Sequence, residues 1–268
     1  MIMRKAVENN IPTKYPIVLV HGIVLKDIAF FKAFGRIEKI LKRSGYTVYT
    51  AKTDGFGTIE NNAAQLKSHV EKILAANKCD KVNLIAHSKG GLDSKHMIEH
   101  LDAENIVASL TTLCTPHKGS PIATKLLRLP GWIVKFIAFW VNLWYRIFGD
   151  KHPNALEVCK QLQLHDDDTE YANTIDGVYC QSYSATLEKC RDDFIMSIPL
   201  YFSKRAEAKP SDGLVSAESA MFGEYKGDCA SGSISHSEIV DFMVRKRKKD
   251  RIYGFYLQLC NDLAKNGF

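Results

Sequence analysis

The stretch Val82-Asn83-Leu84-Ile85-Ala86-His87-Ser88-Lys89-Gly90-Gly91 joins an apolar, β-prone run to a segment of helical character, with a serine at the junction. A strand that turns sharply into a helix at a serine drives that residue toward unfavourable φ/ψ and leaves its hydroxyl exposed at the strand end. The residues two before and two after must then be small, and Ala86 and Gly90 meet that demand, although glycine is usual where Ala86 stands. The same turn sets the backbone N–H of Lys89 at a helix start, where it can bind an oxyanion. A Ser-x-Gly after an apolar run also closes ordinary β-to-α turns, so the rest of the chain decides between the two readings.

Strand and helix patterns alternate on either side of this junction. Residues 16–20, 46–50, 81–86, 106–114 and 177–183 read as strands, and residues 28–42, 58–76, 89–101 and 238–264 as helices. That rhythm predicts an α/β fold with a mostly parallel sheet covered on both faces. A length of 268 residues suits one large domain, and 46% hydrophobic with 25% charged residues excludes a disordered or repetitive chain. The seven cysteines, 79, 114, 159, 180, 190, 229 and 260, lack CxxC or zinc-type spacing and read as buried thiols. Part of the net charge of +6 lies in the basic run 245–251, read first as a solvated helix face and otherwise as a contact for anionic lipid or nucleic acid. Residues 1–14 lack the apolar core of a secretory signal, so a cytoplasmic protein is the simpler expectation. No dinucleotide or P-loop glycine pattern calls for an organic cofactor, and no nucleic-acid partner is expected.

One segment breaks the rhythm. Residues 131–149 hold all three tryptophans in a run nearly long enough to span a membrane. Lys135, Asn142 and Arg146 fall within about 40° of each other on a helix, which gives a narrow polar stripe on an otherwise apolar surface. Stripe and mid-chain position favour an interfacial or covering helix over a membrane span or a core helix, with Trp140 and Trp144 as candidate substrate contacts.

A serine hydroxyl is a poor nucleophile until a base takes its proton. Among nine histidines, His236 is best placed, late in the chain in a polar loop ahead of the terminal helix. Asp212, 24 residues earlier in Ser211-Asp212-Gly213, sits in a turn that would present a carboxylate to orient the imidazole. The order Ser88, Asp212, His236 is the one expected for a nucleophile on this kind of turn. The second oxyanion donor should follow the first strand, at the N–H of Ile23, with His21 and Gly22 lining the approach.

With these residues in place the chain resembles bacterial triacylglycerol lipases of the α/β-hydrolase fold, particularly the smaller calcium-dependent true lipases. The resemblance runs from Tyr15–Gly22 through 82–91, the Thr115-Pro116-His117-Lys118-Gly119-Ser120 stretch and 212–215 to His236. It implies hydrolysis of carboxylic esters with apolar acyl chains, a lid inserted at about 121–170, and contact of residues 131–149 with a lipid surface. A soluble short-chain esterase or thioesterase is the neighbouring reading, and a catalytically silent lipid-binding protein the distant one. The resemblance also implies a structural calcium held near Asp193 and Glu238. Here the chain departs from the pattern: Glu238 replaces an aspartate two residues after the histidine, and Phe242 stands where the family has an amide ligand. Glu218 occupies the place of a cysteine that forms a disulfide in some members.

Overall fold

The computed structural model describes residues 10–23, 27, 32–164, 174–189, 192, 193, 196, 201 and 210–268. Four consecutive apolar residues without polar alternation demand burial on both faces. Strand β1 (Ile17–Val20) meets that demand with all four residues buried. The chain continues through α1 (Ile37–Arg43), β2 (Val48–Thr50), α2 (Ile59–Asn77), β3 (Val82–His87), α3 (Lys89–His100) and β4 (Val107–Leu113). Three helices follow, α4 (Pro121–Leu127), α5 (Gly131–Ile147) and α6 (Ala155–Gln161), before β5 (Tyr179–Ser184), β6 (Glu224–Asp228) and α7 (Lys246–Lys265).

The six strands form one parallel sheet in the order β2-β1-β3-β4-β5-β6. Its two faces carry separate apolar clusters. One packs α1 and α7 on the sheet through residues such as Phe34, Leu41, Ile252 and Tyr256, and the other packs α2 and α3 through Leu66, Val70 and Met97. From β1 the chain steps outward to β2, then returns to β3 on the other side. That reversal opens a crevice beyond the carboxyl ends of β1 and β3, the place where sheets of this kind bind ligands.

Element boundaries follow local chemistry. Helix α2 begins where Thr58 accepts a hydrogen bond from Asn61 N, as an N-cap does. The terminal helix expected from residue 238 is instead a short 3-10 turn at Glu238–Val240, broken from α7 by Asp241 and Met243 in left-handed conformation. The helix expected from residue 28 is described only as α1, because residues 28–31 lie outside the described residues. Strand β6 escaped the periodicity reading because its sequence EYKGD is polar and its residues are mostly exposed at the sheet edge.

The inserted helices are tied to the body at one end of α5. Asp150 accepts from Gly55 N and Phe56 N at 3.0 and 2.9 Å, while Asp54 accepts from Lys151 N and His152 N at 2.9 and 2.8 Å. Both carboxylates are buried and act in opposite directions, each holding the other's loop. Phe56 and Tyr145 add an edge-to-face contact at 4.5 Å. Residues 165–173 of the expected insertion lie outside the described residues. Replacing Asp54 and Asp150 together by Ala should lower stability by several kcal/mol, since the four charge-assisted hydrogen bonds lost contribute about 1.5–3 kcal/mol each before relaxation. Limited proteolysis should then cut near residues 148–153 first, read by mass spectrometry.

Candidate active site

Ser88 ends β3 with φ 55° and ψ −133°, a backbone conformation that disfavours any side chain. Tertiary contacts hold it there. Its N–H donates to Leu113 O at 2.9 Å, and its carbonyl accepts from Thr115 Oγ1 at 2.9 Å and Gly91 N at 3.0 Å. The nearest obstacle to a larger residue after the turn is the neighbouring strand. A Cβ on Gly90 would lie 2.5 Å from His21 O and 2.8 Å from Val20 O, so the constraint comes from the backbone of β1. Gly22 likewise abuts Ser88, since a Cβ there would stand 2.7 Å from Ser88 Cβ and 3.1 Å from Ser88 Oγ.

His236 Nε2 lies 2.9 Å from Ser88 Oγ, and its Nδ1 lies 2.6 Å from Asp212 Oδ2. All three residues are buried. The other Asp212 oxygen accepts from Leu214 N at 2.9 Å and Val215 N at 2.8 Å, so the Asp-Gly turn fixes the carboxylate it presents. The imidazole is held from its backbone as well. His236 N donates to Asp212 O at 3.0 Å, and His236 O accepts from His87 Nε2 at 3.0 Å.

The two N–H groups expected to face an oxyanion belong to Ile23, directly after Gly22, and to Lys89, the first residue of α3. First-turn amides have no partner within their own helix, which leaves the Lys89 N–H available. The Lys89 side chain was not anticipated. It is buried at 1% exposure and donates to Asp93 Oδ1 at 2.5 Å, while Asp93 Oδ2 accepts from Asn62 Nδ2 at 3.0 Å. Asn62 in turn bonds the backbone of Asp54 on both sides, so one buried polar chain links the base of the oxyanion shelf to the foot of α5. Burial raises the Asp93 carboxyl to about 6 against the pull of Lys89 and Asn62.

His21 differs from its expected role as a substrate contact. It is 2% exposed, with Nδ1 2.9 Å from Gly22 O and Nε2 3.2 Å from Thr53 Oγ1, so it braces the loop that carries Ile23. Trp140 and Trp144 differ too. Helix α5 buries only Val134 and Ala138, and the two tryptophans are 46% and 55% exposed. With Phe136, Ile137, Val141, Tyr145 and Phe148 they line an outward apolar groove of about 510 Å³ that includes no residue of the Ser88 site. The polar stripe divides as well: Asn142 faces inward and accepts from Ala155 N at 2.7 Å, whereas Lys135 and Arg146 are exposed. Among the described residues no single helix is long and apolar enough to cross a membrane.

Behind His236, Glu238 and Asp193 meet around Ser235. Glu238 Oε2 accepts from Ser235 N at 3.1 Å and from Lys248 Nζ at 2.6 Å, with both charged side chains buried. Asp193 Oδ2 accepts from the hydroxyls of Ser235 and Ser237 at 2.5 and 3.2 Å. The six described cysteines are free, and Cys190 lies outside the described residues. Cys114, in left-handed conformation after β4, brings its sulfur within 4.8 Å of the Asp212 and His236 ligand atoms. A hydrogen bond to Cys229 and burial push that thiol's pKa up, so it stays protonated beside the acid.

The palmitoyl protein thioesterase family model matches residues 16–176, which include β1, the Ser88 turn and the inserted helices. The chain belongs to this family. Its relatives include lipases. It is 31% identical over 261 residues to triacylglycerol lipase 2 of Saccharomyces cerevisiae, covering 87% of this chain and 73% of that one. It is 37% identical over 168 residues to a triacylglycerol lipase of Burkholderia plantarii, covering 59% of this chain and 46% of that protein, so it spans about half the bacterial relative. A metagenomic carboxyl esterase of known structure superposes with a TM-score of 0.69 at 18% identity, over 94% of this chain and 74% of that one. The fold of this lipase relative is thus the α/β-hydrolase fold. Asp212 and His236 lie beyond the family-model match, and their assignment rests on geometry.

Two buried histidines resist protonation in the fold. Burial holds His117 at about 3 and, with the neighbouring His236, holds His87 well below the ordinary imidazole value. The unfolded chain protonates both near pH 6.5 while the fold refuses the protons, so their contribution is intact above about pH 6.5 and declines as pH falls through the folded values. Unfolding free energy should therefore fall from pH 6.5 toward pH 4 by up to about 1.4 kcal/mol per pH unit through His117, with His87 acting in the same direction. His117→Gln should remove part of that slope in a calorimetric pH series.

Proposed function

We propose that the protein is a serine hydrolase that cleaves carboxylic esters of apolar acyl chains, triacylglycerol or related lipid esters, by two-step acyl transfer to water. The observation that carries this reading is the unbroken chain Asp212 Oδ2, His236 Nδ1, His236 Nε2, Ser88 Oγ, with links of 2.6 and 2.9 Å. His236 takes the Ser88 proton as Oγ attacks the ester carbonyl, and Asp212 stabilises the imidazolium that results. The N–H groups of Ile23 and Lys89 receive the developing oxyanion, each contributing about 3 kcal/mol to the transition state. His236 then protonates the leaving alkoxide. Water, deprotonated by the same imidazole, releases the acid from Ser88.

A thioester is a second substrate class, favoured by the palmitoyl protein thioesterase family to which the chain belongs. The acyl-enzyme is the same in both cases. The exposed aromatic face of residues 131–149 supports lipid-surface contact, which sets long-chain, aggregated substrates ahead of short soluble ones. A fluorophosphonate probe should label Ser88 alone, and Ser88→Ala should abolish both labelling and p-nitrophenyl ester turnover while keeping the fold. Turnover retained in that variant would refute the assignment. Emulsified triolein against a palmitoyl thioester separates the two substrate classes.

We infer further that the loop bearing His236 is braced by the chain's own ammonium group rather than by calcium. Lys248 already neutralises Glu238 at 2.6 Å, Asp193 is engaged by two serine hydroxyls, and Phe242 offers no ligand oxygen from its side chain. That donor set does not fit a calcium ion, which takes six to eight oxygens. EDTA should leave both turnover and unfolding midpoint unchanged. Lys248→Met should destabilise by about 3–5 kcal/mol, because it strands a buried carboxylate. Loss of activity on chelation, restored by calcium, would overturn this inference.

A further inference from the structure

A second cleft borders the loop that clamps α5. It has a volume of about 510 Å³ and is lined by residues of α2, by Lys52, and by Lys151 and His152 from the loop after α5. Its cations are Lys52, Lys72 and Lys151, and among the described residues none of the three ammonium groups has a carboxylate within 4.0 Å. The Asp54 carboxylate, which touches the lining through Gln65, accepts from the amide of that residue at 3.0 Å and from the N–H groups of Lys151 and His152. Asn61, Gln65 and Ser68 add neutral hydrogen-bonding groups to the lining. Three ammonium groups without a carboxylate partner among the described residues, set around a concave polar site, present a donor field suited to an anion.

The position of the cleft says which anion. Phe148 is 43% exposed at the end of the aromatic face of α5. Lys151 follows it by three positions, a reach of at most about 11 Å. The headgroup layer of a leaflet is about 5–8 Å deep. Aromatic side chains immersed at the lipid boundary would therefore keep Lys151 within about 11 Å of that boundary, a distance that includes the phosphates.

We propose that the cleft formed by Lys52, Lys72, Lys151, His69 and His152 binds the phosphate of an anionic phospholipid headgroup and so selects negatively charged membranes for the protein. This rests on the interfacial reading of residues 131–149, and the cleft adds lipid selectivity to it. His69 supplies a reporter within the cleft. It is half-buried, its Nδ1 accepts from Lys52 N at 3.2 Å, and burial with the cations of Lys52 and Lys72 holds its pKa below the ordinary imidazole value. A bound anion offsets that repulsion and raises it.

The test is sedimentation of the full chain with vesicles of phosphatidylcholine alone or with one part in four of phosphatidylglycerol. The expected result is binding roughly 10- to 100-fold tighter to the anionic vesicles at low salt. The triple variant Lys52→Gln/Lys72→Gln/Lys151→Gln should lose that preference while keeping its affinity for neutral vesicles and its unfolding midpoint. A wild-type protein without the preference, or a triple variant that keeps it, overturns the proposal. Trp140→Ala/Trp144→Ala separates the two readings: equal weakening on both vesicle types supports interfacial contact through α5, and wild-type affinity on neutral vesicles removes that contact without touching the charge comparison. In a parallel arm, inorganic phosphate is titrated while the His69 imidazole is followed by NMR. A raised His69 pKa with phosphate but no preference among vesicles assigns the cleft to a soluble phosphate and overturns the lipid source.

Discussion

The structure depends on one strained residue held from three sides. At Ser88 the backbone takes a positive φ that costs on the order of 1–3 kcal/mol, and the cost is met by bonds to β4 and to Thr115. Because Gly90 touches the carbonyls of Val20 and His21, the turn also fixes the spacing of β1 and β3. The Ser88 hydroxyl, the Lys89 N–H and the loop carrying Ile23 are therefore set by a single close approach of two central strands. A site built this way is rigid before any substrate arrives, as transition-state stabilisation by fixed dipoles requires.

Around that centre the polar groups that sequence patterning treats as ordinary become supports. His87 holds the backbone of His236, Asp93 holds the side chain of Lys89, and Asn62 carries the connection onward to Asp54 and the foot of α5. Each is buried and each is paired, so the interior pays for its charges with hydrogen bonds. The Glu238–Lys248 pair follows the same rule behind the histidine loop. The inserted helices obey the opposite logic. Helix α5 packs against the body through two small or medium residues and turns its large aromatic surface outward, a distribution that water alone does not favour.

The sequence by itself determined the α/β alternation and the parallel sheet and singled out Ser88, Asp212 and His236, because each follows from a local constraint. Continuous apolar runs cannot alternate faces, a serine on a sharp turn needs small neighbours, and chain order limits which acid and base can meet it. Only the tertiary structure decided what lies between those points. His21 braces a loop because its ring nitrogens meet Gly22 O and Thr53, 32 residues from it, a pairing no local pattern encodes. Trp140 and Trp144 face outward because the face of α5 that docks is chosen by Asn142 and the clamp at Asp150, and helical spacing alone is blind to which side finds a partner. Lys248 meets Glu238 across a break that two left-handed residues introduce, where periodicity extended one helix. Local rules act over a few residues, whereas these three outcomes depend on groups brought together from distant parts of the chain.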